Sequence, residues 1–265
     1  MSATASVKAE NTVSVQIQSI ERAATVLRLL TGRPRRGVAE LARELQVPKG
    51  TAYGILRTLE MVGFVEQDRE SGKYQIGPAL LHIGSRYLED NELRLRALPW
   101  SDTLAAQAGE SVRIGTPHDN LVLVIHHVIH PDDTPQPVAV GDLIPMHATA
   151  VGKALLAHNR DLASAIAGSE LARCTSGTVT DPEQLRQQLE KSADRGWSDD
   201  VGEFLPGVAS IAAPIEGRHR AVVGAIAISG PIDRLCVDRS PRRELAGQVM
   251  NTARAIARDL GWTPW

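Results

Sequence analysis

Apolar residues near the start of the chain recur at helical spacing. Across 49–62 they fall at i, i+3, i+4, i+7 and i+10, at Ala52, Ile55, Leu56, Leu59 and Val62. This spacing puts them on one face of a helix, which we expect to be buried against a preceding helix through Leu41 and Leu45. Pro48 favours a helix start, so the pattern predicts two short helices joined by a tight turn.

The opposite face of the second helix is small, polar and cationic. Such a face can enter a DNA major groove, where base edges are read and phosphates are bound. The candidate DNA-binding residues are Lys49, Gly50, Thr51, Tyr53, Gly54 and Arg57. Periodicity alone leaves open a three-helix protein-interaction domain.

Two β-prone runs follow, at 64–67 and 73–76, around the loop Asp-Arg-Glu-Ser-Gly, which indicates a hairpin. With a further helix predicted before Gly32, the order helix, helix, helix, hairpin is that of a winged helix-turn-helix. Arg69 and Lys73 in the hairpin are candidate phosphate contacts.

The segment 78–109 is again helical in pattern, with an interruption expected at Pro99. Its apolar stripe is too wide for a free linker helix, so we expect a partner helix from a second subunit. A homodimer or homotetramer would also supply the two-fold symmetry that paired DNA half-sites require.

Beyond Gly109 the pattern alternates between strands and helices and predicts a mixed α/β domain able to enclose a ligand. The predicted strands are 111–116, 121–130, 209–215 and 222–229, and the predicted helices are 149–158, 181–195 and 242–260. We predict an α+β chain: a disordered tail (1–16), a winged helix-turn-helix (17–79), a helical linker (80–95) and a C-terminal domain (96–262).

Charge is unevenly distributed along the 265 residues, whose formal net charge is −2. Residues 17–75 carry ten Lys and Arg against seven Asp and Glu, whereas from Ile76 onward there are eighteen against twenty-three. The basic end is therefore the candidate DNA-binding end. The absence of a signal peptide or a long apolar run predicts a cytoplasmic protein with no membrane partner. Cys174 and Cys236 are expected to be reduced and buried.

Residue patterns of common enzymes and metal sites are missing. The Gly152-Lys153 pair lacks the spacing of a P-loop, and no Gly-x-Ser-x-Gly motif occurs. His126, His127 and His130, followed by Asp132 and Asp133, are potential metal ligands, but on a strand His127 points away from His126 and His130, so we expect no metal site. Because the enzyme motifs are also missing, we expect no cofactor and no enzymatic activity. His147 is either a ligand contact or a side chain bonded to a helix-start carbonyl.

Several sequence blocks, taken in order, make the chain similar to the isocitrate lyase regulator (IclR) family of bacterial transcription factors. They are IQSIERAATVLRLL, VAELARELQVPKGTAY, ILRTLEMVGFVEQD, SGKYQIGPALLHIG, PMHATAVGKALLA, GVASIAAPI and GAIAISGP. The resemblance implies an N-terminal winged helix-turn-helix, a dimerising helical linker and a C-terminal effector-binding domain with a curved antiparallel sheet.

The resemblance also implies a set of effector-binding residues. Thr149 is the expected N-cap of a helix whose first backbone N–H groups suit an anion. In similar family members this helix start faces the effector together with residues that match Asp200, Ser210, Ala227 and Ser229. The implied set is Thr149, Ala150, Val151, Asp200, Ser210, Ala227 and Ser229.

Members that bind small keto acids carry a cysteine and two serines where this chain has Ser210, Ala227 and Ser229, which argues against glyoxylate or pyruvate. The pattern KGTA-x-GILRTL, together with SGKYQIG, HHVIHPDD and SIAAPI, is most similar to members that control a glycerol operon. We therefore expect a repressor of glycerol catabolism that binds an operator and is released by a polyol phosphate such as glycerol 3-phosphate. The alternatives are a regulator of aromatic-acid or other carboxylate catabolism, and a metabolite-sensing adaptor that binds protein.

Gly50 and Gly54 depart from the Ser and Arg that family members commonly carry at these positions. A glycine inside a helix costs about 1 kcal/mol relative to alanine. Either both positions have drifted, or the helix backbone approaches the duplex closely here and leaves base choice to Lys49, Thr51, Tyr53 and Arg57.

Overall fold

The computed structural model describes residues 17–31, 35–130, 137–218 and 221–261. The predicted N-terminal tail lies outside these residues. Tertiary contacts divide the chain into two units between Tyr87 and Leu88.

The N-terminal unit contains a winged helix-turn-helix. Its elements are α1 (Gln18–Thr31), α2 (Val38–Glu44), α3 (Lys49–Met61), β1 (Val65–Gln67) and β2 (Tyr74–Ile76). Arg36 adds a β-bridge to Tyr74, whose side chain is buried in the core beside Leu41 and Leu56. The expected burial of Val62 is wrong: it caps the end of α3 with its side chain 51% exposed.

Two helices follow the wing, α4 (Pro78–Glu89) and α5 (Glu92–Ala108). The interruption expected at Pro99 is wrong, because α5 continues through that residue. The break lies instead at Asp90-Asn91, where the Asn91 side chain accepts a hydrogen bond from Arg94 N (2.9 Å) and caps α5. A proline inside a helix costs about 3 kcal/mol, because it lacks an N–H and its ring meets the carbonyl of residue i−4. The packing of the buried face of α5, at Ala97, Ser101 and Leu104, offsets this cost.

A six-stranded antiparallel sheet organises the C-terminal unit, in the order β5-β4-β3-β8-β7-β6. Its strands are β3 (Ser111–His118), β4 (Leu121–Val128), β5 (Leu143–Pro145), β6 (Ser198–Val201), β7 (Val208–Glu216) and β8 (Val222–Pro231). Register shifts at Ile114/Gly115 and Ile215/Glu216 interrupt the ladders. Such bulges bend and twist strands, as a curved sheet requires.

Helices cover both faces of the sheet. The remaining elements are α6 (Ala150–Leu156), α7 (Arg160–Ala167), α8 (Pro182–Arg195), α9 (Ile232–Leu235), the short ladder of β9 (Cys236–Val237) and β10 (Ser240–Pro241), and α10 (Arg243–Asp259). Alternate residues separate the faces: Ile211 and Ile228 belong to the core with α5 and α10, whereas Ala212 and Ala227 belong to the core with α6 and α8.

The predicted α+β fold class is confirmed, and the predicted long strands and helices are present with bounds shifted by a few residues. The short strands β5 and β6 and the helix α7 had no counterpart in the prediction. Within the described residues no helix is long and apolar enough to cross a membrane.

Candidate functional site

The recognition helix α3 presents its predicted polar face to solvent. Pro48 supplies the N-cap carbonyl, which accepts hydrogen bonds from Thr51 N (2.9 Å) and Ala52 N (3.2 Å). Buried Ala52, Leu56 and Leu59 fix the opposite face. All six candidate DNA contacts predicted on this helix are exposed, namely Lys49, Gly50, Thr51, Tyr53, Gly54 and Arg57.

Gly50 and Gly54 face open space. A Cβ built on either residue meets no atom within 4 Å. Packing within the protein therefore does not demand glycine at these positions. By contrast, a Cβ at Gly77 would stand 2.3 Å from the Gly63 carbonyl oxygen, so the fold itself requires that glycine.

The wing loop is ordered by Asp68. Its carboxylate accepts hydrogen bonds from Ser71 and pairs with Arg35 (2.8 Å), and these contacts, led by that from Ser71, lower its pKa. Arg69 and Lys73, the two predicted phosphate contacts, are exposed on either side of this turn. The loop is thus held while its cationic side chains remain accessible.

In the C-terminal unit, strand register brings together the predicted effector-binding residues that lie on the sheet. Asp200 on β6 pairs with Ser210 on β7, which pairs with Ser229 on β8. Directly paired residues point to the same face of a sheet. Ser210 Oγ lies 3.2 Å from Ser229 Oγ, and Ala227 lies two residues from Ser229 on the same face. These residues form a polar row across three strands.

Helix α6 begins against this row. Thr149 is its N-cap, as predicted, and its hydroxyl accepts a hydrogen bond from Gly152 N (3.2 Å). A Cβ at Gly152 would stand 2.2 Å from the Met146 carbonyl oxygen, so glycine lets the helix start lie on the preceding segment. Thr149, Ala150 and Val151 thereby face the same cavity as the polar row.

The cavity between α6 and the sheet is small, with about 20 Å³ of free volume. A void of this size holds about one water molecule. All seven predicted effector-binding residues line it, and so do residues that the sequence interpretation missed, namely Arg113, Val138, Ile144, Phe204, Leu205 and Val208.

Arg113 is the most consequential of the missed residues. It lies on β3 and pairs in register with Ala227, and its residue surface is only 8% exposed. Burial lowers the pKa of its guanidinium to about 10, so the side chain remains a cation at neutral pH. The available signal was a charged residue inside the predicted strand 111–116, whose other residues are all uncharged.

A buried ion pair lies beside the cavity. Lys153 of α6 is 1% exposed, and its ammonium donates hydrogen bonds to Glu203 Oε1 (2.5 Å) and to the Asp199 carbonyl (3.3 Å). The Thr178 hydroxyl donates to the Glu203 carbonyl (2.7 Å). These contacts hold the loop after β6, which supplies Phe204 and Leu205 to the cavity wall.

Asp200 has an unusual electrostatic environment. Burial raises the pKa of its carboxyl to about 7, although hydrogen bonds from Glu203 N and Phe204 N and the charge of Lys153 act in the opposite direction. The side chain is therefore distributed between its ionised and neutral forms near neutral pH.

The remaining candidate residues do not form a site. His147 Nε2 lies 2.9 Å from the Ala172 carbonyl, which corresponds to the carbonyl-binding alternative, although that carbonyl is in a loop. Cys236 is buried as expected, but the expectation for Cys174 is wrong, because its loop leaves it exposed. No group of side chains suited to a metal ion occurs among the described residues, and the acidic pair after His130 lies outside them.

A larger depression, of about 160 Å³, lies beside α10 and β7. Its lining is mainly small and apolar, including Ala213, Met250 and Ala253. None of the predicted effector-binding residues borders it. The smaller cavity, where charged and hydroxyl groups converge, is therefore the candidate effector site.

Both units match known protein families. Residues 19–69 match the IclR helix-turn-helix domain, and residues 85–258 match the C-terminal domain of bacterial transcriptional regulators of the IclR type. The chain belongs to the IclR family of bacterial transcriptional regulators. The exposed face of α3 in this IclR protein is thus part of a DNA-binding domain, and the predicted family is confirmed.

Individual relatives extend over almost the whole chain. The chain is 48% identical to the glycerol operon regulatory protein of Streptomyces coelicolor over 246 residues, covering 92% of this chain and 97% of that protein. It is 46% identical, with the same coverage, to that of Streptomyces griseus. It is 30% identical to the transcriptional repressor AllR of Escherichia coli K12, covering 96% of this chain and 94% of that one.

Solved structures agree with this family. An IclR regulator from Alicyclobacillus acidocaldarius superposes with a TM-score of 0.80 at 26% identity, covering 93% of this chain and all of that one. An IclR homologue from Microbacterium hydrocarbonoxydans, complexed with 4-hydroxybenzoate, gives a TM-score of 0.77 at 25% identity, covering 92% and 99%.

Proposed function

We propose that this IclR-family regulator represses a glycerol catabolic operon and is released from its operator by a polyol phosphate such as glycerol 3-phosphate. The observation that carries the proposal is the near full-length identity, 48% and 46%, to two Streptomyces glycerol operon regulatory proteins. Because the target is chromosomal DNA, we expect the protein in the cytoplasm. We expect it to bind its effector without turnover.

The DNA-binding part of the proposal rests on the exposed face of α3. Lys49, Thr51, Tyr53 and Arg57 would reach base edges. Arg69 and Lys73 on the wing would contact the neighbouring backbone. Lys49 and Arg57 form no ion pair with any other described residue, so their charges are available to DNA.

The effector assignment follows the chemistry of the cavity. The Arg113 guanidinium suits a phosphate, since its planar donors match phosphate oxygens. Ser210, Ser229 and Asp200 suit the hydroxyls of a polyol. The apolar side chains that line the cavity, among them Ile144 and Val208, suit its carbon atoms. The present cavity is smaller than such a ligand, so binding requires the cavity to widen.

A second candidate is an aromatic or other carboxylic acid. The structural relative that carries 4-hydroxybenzoate favours it, and Arg113 would pair with a carboxylate as readily as with a phosphate. Besides its carboxylate, however, 4-hydroxybenzoate has one hydroxyl to offer the row of Ser210, Ser229 and Asp200, whereas glycerol 3-phosphate has two. The polyol phosphate accounts for more of the polar lining.

We further propose that the protein binds DNA as a homodimer or a pair of dimers. Helix α4 has no buried residue, and its large apolar side chains Leu81, Ile83 and Tyr87 are 76%, 53% and 53% exposed. A second copy of the helix would cover them. Light scattering on the purified chain tests this, and a monomer at micromolar concentration contradicts it.

Release would follow from a population shift. The effector would prefer an arrangement of the subunits in which the paired recognition helices no longer match half-sites about 34 Å apart. A ligand shifts this equilibrium only by its difference in affinity for the two arrangements. An effector that binds without changing operator affinity would contradict the mechanism.

A mobility-shift assay on the DNA upstream of the protein's own gene tests the proposal. At fixed salt we expect a specific complex that glycerol 3-phosphate dissociates and 4-hydroxybenzoate does not. The complex should weaken steeply with added salt, because phosphate contacts release counterions. No binding to duplex DNA at low salt, together with salt-insensitive binding to a protein, would favour the adaptor alternative.

A further inference from the structure

The carboxyl group of Asp200 is built into the cavity wall with its two oxygens in different environments. The residue is 3% exposed, and Oδ1 accepts hydrogen bonds from Glu203 N (2.7 Å) and Phe204 N (3.3 Å). The structure shows no hydrogen bond from another described residue to Oδ2. Oδ2 is therefore the oxygen that can take a proton or meet a ligand.

The cation nearest to this carboxyl group is already engaged. Lys153, on α6, donates hydrogen bonds to Glu203 and to the Asp199 carbonyl. Its ammonium group therefore holds the loop after β6 and is not directed at a ligand in the cavity. The β7 and β8 neighbours in the polar row, Ser210 and Ser229, carry no charge. The titratable or charged groups around Asp200 are Lys153 on α6, Glu203 on the following loop, Cys174 on the loop before α8, Asp199 on β6 and Arg113 on β3.

We propose that effector binding is coupled to the protonation of Asp200, the proton coming from bulk solvent, residing on Oδ2 and returning to solvent when the ligand leaves. The proposal rests on the proposed function, in that the ligand carries an anionic phosphate. An ionised Asp200 would repel this anion across a small, poorly hydrated cavity. The neutral acid removes the repulsion and donates a hydrogen bond through its O–H.

The electrostatics of the cavity favour this exchange. Burial raises the pKa of Asp200 to about 7, so the unliganded side chain is close to half protonated at neutral pH. A bound anion raises this pKa further, so binding must take up a proton. By the same linkage, effector affinity falls as the pH rises through the pKa of the unliganded carboxyl.

Isothermal titration calorimetry of the intact protein with glycerol 3-phosphate measures the coupling. Titrations in buffers of different ionisation enthalpy give the number of protons taken up. If the ligand binds only the neutral acid, the dissociation constant should rise about tenfold between about pH 6 and about pH 8 through Asp200 alone, and the carboxyl should take up about 0.9 proton at the higher pH.

Two variants separate this effect from the ionisation of the ligand, which is common to all the proteins compared. Asp200→Asn keeps an oxygen for Glu203 N and Phe204 N, and its amide resembles a neutral acid. It should lose the proton uptake of Asp200 and bind more tightly than the natural protein at about pH 8. Ser210→Ala is the matched control: it should weaken binding equally at both pH values and retain the uptake.

The outcomes distinguish the two proposals. Glycerol 3-phosphate binding with equal proton uptake in the natural protein and in Asp200→Asn overturns the coupling and leaves the effector assignment in place. Binding of neither glycerol 3-phosphate nor inorganic phosphate at any pH overturns both. Should Asp200→Asn fail to fold, carbon-13 titration of the Asp200 carboxyl in the free and liganded natural protein decides the question, and an unchanged pKa refutes the coupling.

Discussion

Replacing Gly54 or Gly50 with alanine should move protein stability and DNA affinity in opposite directions. Neither added methyl group meets an atom within 4 Å, so the folded protein gains no strain. In the interior of α3, Gly54→Ala should stabilise the N-terminal unit by about 1 kcal/mol. Gly50 is the second residue of α3, where backbone hydrogen bonding is incomplete, and we expect about half that gain.

The DNA complex should respond in the opposite way. If the backbone at Gly54 touches the duplex, a methyl group there overpacks the interface at a cost of about 1–3 kcal/mol. That cost corresponds to about 5- to 150-fold in the dissociation constant. Fluorescence anisotropy on a labelled operator, at one fixed salt concentration, measures the loss. Calorimetry on the free protein should show the melting temperature of the N-terminal unit raised by about 4–8 °C.

Gly247→Ala provides the matched control. Gly247 lies within helix α10 of the other unit, and a Cβ there also meets no atom within 4 Å. This variant should gain comparable stability without altering operator affinity. If Gly54→Ala stabilises the protein and leaves operator binding unchanged, close backbone approach is refuted and sequence drift explains the glycine.

Three further substitutions test other parts of the molecule. Arg57→Ala should weaken operator binding by about 1–3 kcal/mol if the side chain reads a base, and unchanged anisotropy would remove it from the DNA-reading face. Ser229→Ala should weaken glycerol 3-phosphate binding by about 0.5–1.5 kcal/mol, so a higher concentration is needed to release the operator. An unchanged concentration for release would exclude this residue from the effector contacts. Lys153→Met should lower the free energy of unfolding in urea by about 3–5 kcal/mol, because it leaves Glu203 buried as an unpaired charge. Adding Glu203→Gln should recover part of that loss, and no recovery would contradict the electrostatic explanation.

The DNA-binding face was predictable because a single helical periodicity fixes both the buried and the exposed side of α3. Once Leu56 and Leu59 are assigned to the core, helical geometry requires Tyr53 and Arg57 to lie outside. The long strands β7 and β8 were also identifiable, since buried strands of nine or ten residues leave a continuous apolar signal.

Other features depend on contacts distant in sequence. Strand β6 contains two aspartates and only one large apolar residue, so its place in the sheet follows from register with β7. Arg113 and Lys153 read as surface charges in isolation, and only the tertiary structure shows that each is buried. The polar row was assigned through family resemblance, because the residues alone do not reveal which strands are neighbours.

The arrangement of that row has a consequence for how ligand preference can diverge. Each strand contributes one side chain at a matching position, while the hydrogen bonds of the ladder involve only the main chain. Exchanging a serine for an alanine or a cysteine therefore changes the hydrogen-bonding groups that a metabolite meets, while the main-chain hydrogen bonds of the sheet stay the same. A regulator built in this way can acquire a new inducer through single substitutions while its operator stays the same.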